Sequence, residues 1–312
     1  MWEFLTKLKF PAIVFISGVL FAFVSLFNAQ DIAKLSVTPR LTLFYPGLFV
    51  GLILVIGAVL VMLSQENLIP TVNLSRARKT KYGFAAQFGR TKINVHFGRV
   101  EKIVGVIESS GSRHAIVLPA NEYFDDECLA APNTALGAFV QERFGSSRSE
   151  LFREVASART KLVTKGQFEK EKGKLESSFG TGTCLYIPNP PGVAQSLILA
   201  AVATKRAGIG ITSNLTDICN ALEHMFAVIN DERICVATLP LLGAGKGGLS
   251  PEISLEAILL ALSVAIRQRK CGTVETINLV IYRDNDDSPP VISRATTRRM
   301  LSIASYMHAR YS

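Results

Sequence analysis

Four glycines and one lysine fall within six residues at Gly243-Ala244-Gly245-Lys246-Gly247-Gly248. They follow a β-rich apolar run over 234–239 and the residues Pro240-Leu241-Leu242. Glycine adopts positive φ without steric cost and lets backbone N–H groups approach an anion closely. Ser250-Pro251-Glu252 then opens a helical pattern, with Pro251 suited to its first turn. A phosphate in front of that helix would meet backbone donors and a favourable dipole. Lys246 either adds a point charge or faces solvent. The chemistry on offer is anion binding, and Leu242, Gly243, Ala244, Gly245, Lys246, Gly247 and Gly248 are its candidate residues.

A second cluster lies at Leu118-Pro119-Ala120-Asn121, which ends another apolar run. The Asn121 amide both donates and accepts, which suits a ribose hydroxyl. Phe124 or Tyr123 offers a ring for stacking. Asp125, Asp126 and Glu127 either pair with a cationic part of a ligand or favour a helix start.

Two familiar phosphate signatures are excluded. Gly243, Gly245 and Gly248 formally match G-x-G-x-x-G, but the dinucleotide version follows a first strand and has an acid about 20 residues on. Here the loop follows a late strand, and Arg267-Gln268-Arg269-Lys270 stands at that distance. A Walker A loop needs Ser or Thr after Gly-Lys, and Gly247 follows Lys246.

Elements of an α/β domain must position these clusters. Residues 92–100, 102–108, 115–119, 183–187, 234–239 and 276–282 read as strands. Residues 134–143, 150–157, 192–206, 216–229, 254–269 and 295–309 read as helices. Residues 161–178, with Lys170-Glu171-Lys172 at the centre, read as an exposed loop or a peripheral helix, lid or decoration. The alternation predicts a mostly parallel sheet covered on both faces, with antiparallel strands at one edge. Ligands of such folds sit at the carboxyl ends of strands, where both clusters fall.

Ahead of this domain lie two uncharged apolar runs, 10–28 and 41–64. Each is long enough to cross a hydrocarbon core of about 30 Å, which takes about 20 helical residues. The first exceeds the usual signal-peptide core of about 7–15 residues, so a transmembrane hairpin over 1–68 is the expectation. Residues 69–81 then read as a juxtamembrane connector and 82–312 as the large domain. Lys7 and Lys9 precede the first run, and Arg76, Arg78, Lys79 and Lys81 follow the second. That bias places both termini and the domain in the cytoplasm.

The net charge is +9, of which the first 68 residues hold +1. The remaining +8 reads as a solvated surface that favours anionic headgroups or ligands, and no nucleic-acid groove stands out. Five cysteines without a C-x-x-C pair, and four scattered histidines, argue against a disulfide framework and a zinc site.

Ala120-Asn121, and Pro240 with Gly243, Gly245 and Gly248, resemble in this order the two loops of the macro domain, a family that binds ADP-ribose. The likeness extends over about residues 90–290. It implies a three-layer α/β/α fold. The glycine run that follows the Asn in hydrolytic members is replaced here by Glu122-Tyr123-Phe124-Asp125. No counterpart of the early Asp that contacts adenine stands out either. Both departures favour binding over turnover.

A two-span hairpin before a divergent macro-like domain is similar to the membrane effector of type II Thoeris antiphage defence. The resemblance implies an inner-membrane protein whose partner, a TIR-domain enzyme, makes an ADP-ribose conjugate such as histidine-ADP-ribose. Binding of that signal would drive self-association and disruption of the lipid bilayer, with no further cofactor. Gly47 and Gly51 in the second run have the spacing of close helix contacts in lipid. A membrane-tethered ADP-ribosyl hydrolase, using Asp125 or Asp126, and a non-enzymatic scaffold remain open.

Overall fold

The computed structural model describes residues 77–107, 113–268 and 272–311. The expected hairpin at 1–68 lies outside the described residues. Among the described residues no helix is long and apolar enough to cross a membrane.

Five strands form the parallel centre of the sheet: β3 (Thr91–Phe97), β4 (His114–Asn121), β8 (Ser196–Arg206), β10 (Val236–Pro240) and β11 (Thr276–Ile281). The other elements in chain order are β1 (Arg78–Lys79), β2 (Gly83–Phe88), α1 (Val100–Ile107), α2 (Asp126–Ala130), α3 (Ala135–Phe144), α4 (Arg148–Arg159), β5 (Gly166–Glu171), β6 (Lys174–Ser178), β7 (Cys184–Ile187), β9 (Gly210–Thr212), α5 (Leu215–Asp231), α6 (Pro251–Arg267) and α7 (Arg294–Tyr311). The sheet runs β1-β2-β3-β11-β10-β4-β8-β7, with β9 pairing β8. Antiparallel pairs occur only toward the two ends, β1 and β2 on one side, β7 and β9 on the other.

Helices cover both faces, as expected for a mixed, mostly parallel sheet. Val95, Val117, Ile198 and Leu279 pack with Leu222, Phe226, Ile258 and Leu262 of α5 and α6 on one face. Ile116, Leu118, Leu199 and Val280 pack with Ile103, Phe139, Leu151 and Val155 of α1, α3 and α4 on the other.

Four expectations are corrected. Residues 196–206 form a central strand, not a helix: 197–203 is apolar without a break and buried on both faces, which removes the two-residue alternation that marks half-exposed strands. Residues 102–107 are helical, because Val100, Ile103 and Val104 bury one helical face despite their β-branched side chains. The 166–178 segment is an antiparallel hairpin, turned at Gly173 with φ +78°. Arg78 and Lys79, expected in the connector, add an edge strand to β2.

A polar belt crosses the sheet beneath α1 and α3. His96 Nε2 lies 3.2 Å from Asn278 Oδ1, Asn278 Nδ2 donates to Thr238 Oγ1 at 3.2 Å, and His114 Nε2 lies 2.8 Å from the same hydroxyl. Burial lowers the pKa of His96.

Candidate functional site

The parallel centre puts the carboxyl ends of β3, β11, β10, β4 and β8 along one edge. The glycine loop leaves β10, and Asn121 ends β4, its parallel neighbour. The two clusters singled out in the sequence are therefore brought to adjacent strand ends.

The glycine loop is anchored at both feet. Leu242 is fully buried and its carbonyl accepts from Ser254 Oγ at 2.7 Å. Leu249 N donates to Gly243 O at 3.2 Å, and Ser250 caps α6 by accepting from Ile253 N at 3.2 Å. Gly243 and Gly248 lie at φ +72° and +80°, which a side chain rarely adopts. Gly247 rests on Ser213: its carbonyl accepts from Ser213 N at 2.9 Å, and an added Cβ would lie 2.1 Å from Ser213 Oγ. Between these feet Ala244, Gly245 and Lys246 form an open crest. The crest amides donate to no acceptor among the described residues, and a Cβ on Gly245 would meet nothing within 4 Å.

Asn121 stands differently from its expected role. Its side chain is buried, and Oδ1 accepts from Tyr123 N at 3.0 Å, closing a local turn. What the side chain offers beyond that turn is its two Nδ2 donors. Ala120 is part of the core, packed among Phe124 and Leu129.

Phe124 and Asp125 are corrected. Phe124 is fully buried against Phe179, with ring centroids 6.2 Å apart, so its ring stacks on the core and not on a ligand. It holds φ +48°, in the left-handed region usually left to glycine. Asp125 caps α2 by accepting from Cys128 N at 2.8 Å and meets Lys170 Nζ at 2.7 Å. Its charge is spent inside the protein.

The neighbouring carboxylates are also engaged. Glu122 is buried and paired with both terminal nitrogens of Arg206, and it accepts from Ser178 Oγ at 2.5 Å. Hydrogen bonds from Lys205 and then Lys170 bring the pKa of Glu127 down to about 2. Burial pushes the Cys128 thiol up to about 11, so it is not a thiolate near neutral pH.

Three residues on this edge were missed in the sequence. Tyr282 and Arg283 follow β11 and Arg99 follows β3, where Arg283 N donates to Gly98 O at 3.3 Å. Tyr282 is half exposed, and Arg99 pairs with Glu101 at 2.5 Å. The available signal was their position one or two residues past an apolar β run, the rule that selected Asn121. Together the edge carries the crest of unengaged amides at β10, an exposed aromatic ring at β11, and Arg283 and Arg99, which pair with Asp286 and Glu101. Such a set suits an extended anionic ligand with a ring.

The sequence model of the macro domain of the Thoeris protein ThsA matches residues 105–282. A search of curated proteins returns no match. Among solved structures, the Oceanobacillus iheyensis macrodomain with ADP aligns over 70% of this chain and 94% of its own, at 11% identity and a TM-score of 0.46. The Trypanosoma brucei macrodomain in complex with ADP-ribose aligns over 66% and 68%, at 12% identity and 0.43.

Proposed function

The chain belongs to the Thoeris ThsA macro domain family, and from that premise we propose that its α/β domain is a receptor for an ADP-ribose-derived signal. The observation that carries this reading is the glycine loop: a rigidly footed crest of unengaged amides beside the Asn121 strand end. A diphosphate is the ligand chemistry this crest fits best, because its amides have no acceptor among the described residues and nothing lies within 4 Å of where a Gly245 Cβ would stand. Lys246 adds an exposed positive charge. Tyr282 at the β11 end supports a ring-bearing ligand, and the two solved structures named above carry ADP and ADP-ribose.

We further propose that residues 1–68 form a two-span hairpin in a bacterial inner membrane, with the domain on the cytoplasmic side. In this reading a TIR-domain partner makes the signal, histidine-ADP-ribose being one form. Ligand binding gathers several copies and the hairpins then disrupt the bilayer. The support is the absence of charge in 10–28 and 41–64, which gives a single hairpin no polar path. A ligand drives assembly only by binding the assembled state more tightly.

Binding is favoured over hydrolysis by the carboxylates nearest Asn121. Glu122, Asp125 and Glu127 are committed to Arg206, Lys170 and Lys205, which leaves exposed Asp126 at the start of α2 as the one carboxylate of that cluster a hydrolase would have to use. Incubating the purified full-length chain with ADP-ribose and with an ADP-ribosylated protein tests the reading. Saturable binding without turnover is expected, and release of ADP-ribose from the protein would favour the hydrolase.

A further inference from the structure

We propose that Lys170 is a positioning residue: it straps the β5–β6 hairpin onto the turn after Asn121 and so fixes the shape of that end of the ligand edge. The proposal rests on the reading of this edge as a nucleotide receptor.

Lys170 is 3% exposed, and among the described residues no other lysine or arginine is classed as buried. A buried ammonium is costly unless it is paired. Its Nζ lies 2.7 Å from Asp125 Oδ2, 3.0 Å from Glu127 Oε2 and 3.4 Å from Glu176 Oε2. It also sits 5.5 Å from the centroid of the Tyr123 ring. Glu176 belongs to the hairpin, whereas Asp125, Glu127 and Tyr123 belong to the segment after Asn121. One ammonium thus joins two elements.

A two-stranded ribbon is marginal alone, and Leu175 is exposed. The hairpin's other attachments end on the same ground. Arg206 stacks on Phe168 at 4.1 Å while pairing with Glu122, Ala207 N donates to Glu169 O at 2.9 Å, and Ser178 donates to Glu122. All these contacts fall on residues 122–127 and 205–207, at the carboxyl ends of β4 and β8.

The turn in its own right needs holding. Phe124 occupies the left-handed region without being glycine, and such conformations persist only where the surroundings over-determine them. Lys170 holds the residues on either side, Asp125 and the Tyr123 ring, while Arg159 Nη1 donates to Phe124 O at 3.4 Å and the Phe179 ring packs beside the Phe124 ring. Residues 166–178 are therefore neither a free lid nor decoration, but part of the wall beside Asn121.

The test uses purified full-length chain as wild type, Lys170→Met and Lys170→Arg. Hydrogen exchange is read over 122–128, 166–178 and, as an internal control, 241–249, and ADP-ribose affinity is measured by calorimetry. The Met variant is expected to speed exchange about tenfold or more in both 122–128 and 166–178, with the control unchanged. It should weaken ADP-ribose about fivefold or more, and Arg should restore both readouts to within about twofold. Faster exchange in 166–178 alone, or unaltered affinity, would overturn the proposal. If the Met variant loses protection everywhere, Glu127→Gln replaces it, since Glu127 is half exposed. A few-fold rise in both segments is then expected, and no rise contradicts the strap. If wild type does not bind ADP-ribose, the receptor reading fails, and the coupled exchange of the two segments decides the strap.

Discussion

Arg206 grips Glu122 with two nitrogens, Nη1 on Oε1 and Nη2 on Oε2, the latter at 3.1 Å. The pair ties the carboxyl end of β8 to the residue after Asn121. Glu122 is 2% exposed, and Arg206 is its ion-pair partner. Arg206→Met should destabilise the domain by about 3–5 kcal/mol, the usual cost of stranding one buried ion. The double variant Glu122→Leu/Arg206→Met should lose much less, because no orphan charge remains. Chemical denaturation of the two variants checks this, and equal losses would contradict it.

The glycine loop predicts opposite outcomes two residues apart. Gly247→Ala places a Cβ 2.1 Å from Ser213 Oγ and 2.8 Å from Gly243 O, so the loop foot must shift. A loss of about 1–3 kcal/mol is expected, with part recovered by adding Ser213→Gly. Gly245→Ala meets no atom within 4 Å and should leave the melting temperature unchanged.

Stability should fall in mild acid. Burial lowers the pKa of His96 and of His308 from 6.5, so the folded state favours their neutral rings. Facing His96 are Asn278, the Tyr82 ring and, further off, Lys92; among the neighbours of His308 are Ser263, the Phe88 ring and Arg267. None of these is an anion. Below about pH 6.5 the unfolded chain binds protons that the folded chain resists, so the stabilisation present above that pH is lost as pH falls. Thermal melts between pH 8 and pH 5 should show it, and His308→Phe should flatten the slope. A rise in melting temperature toward pH 5 would contradict the sign.

Phe124 sets two costs against each other. Phe124→Gly relieves a left-handed backbone, worth about 1–2 kcal/mol, but removes a ring buried to 0% exposure. The cavity should cost about 3–5 kcal/mol, so the variant should be less stable than wild type. A gain in stability would mean that the ring packs poorly.

What the sequence revealed depended on how each segment meets solvent. β3 and β10 were legible because their apolar runs end at Gly98 and Pro240, β11 because its run ends at Arg283-Asp284, α5 because one face is polar, and α6 because its apolar run is too long for a strand. Both candidate clusters were singled out by the same logic, since strand ends followed by Asn or glycines stand out locally, and they fall at neighbouring strand ends. β8 was misread because burial on both faces erases its period. The hairpin was missed because its fixation is through Lys170 to residues about 45 positions upstream, a pairing no local pattern announces. Phe124 looked like a ligand ring because an aromatic after a strand end gives no sign of which way it turns. Tyr282, on the same edge, turns outward.

The most direct measurement is calorimetric titration of the purified full-length chain with ADP-ribose, run beside Gly245→Glu. The account predicts saturable one-to-one binding by wild type. It predicts a loss of about tenfold or more in the variant, about 1.4 kcal/mol, with an unchanged melting temperature, because a carboxylate would stand where the crest receives an anion. No heat of binding for wild type at millimolar ligand, or equal affinity in the variant, would contradict it.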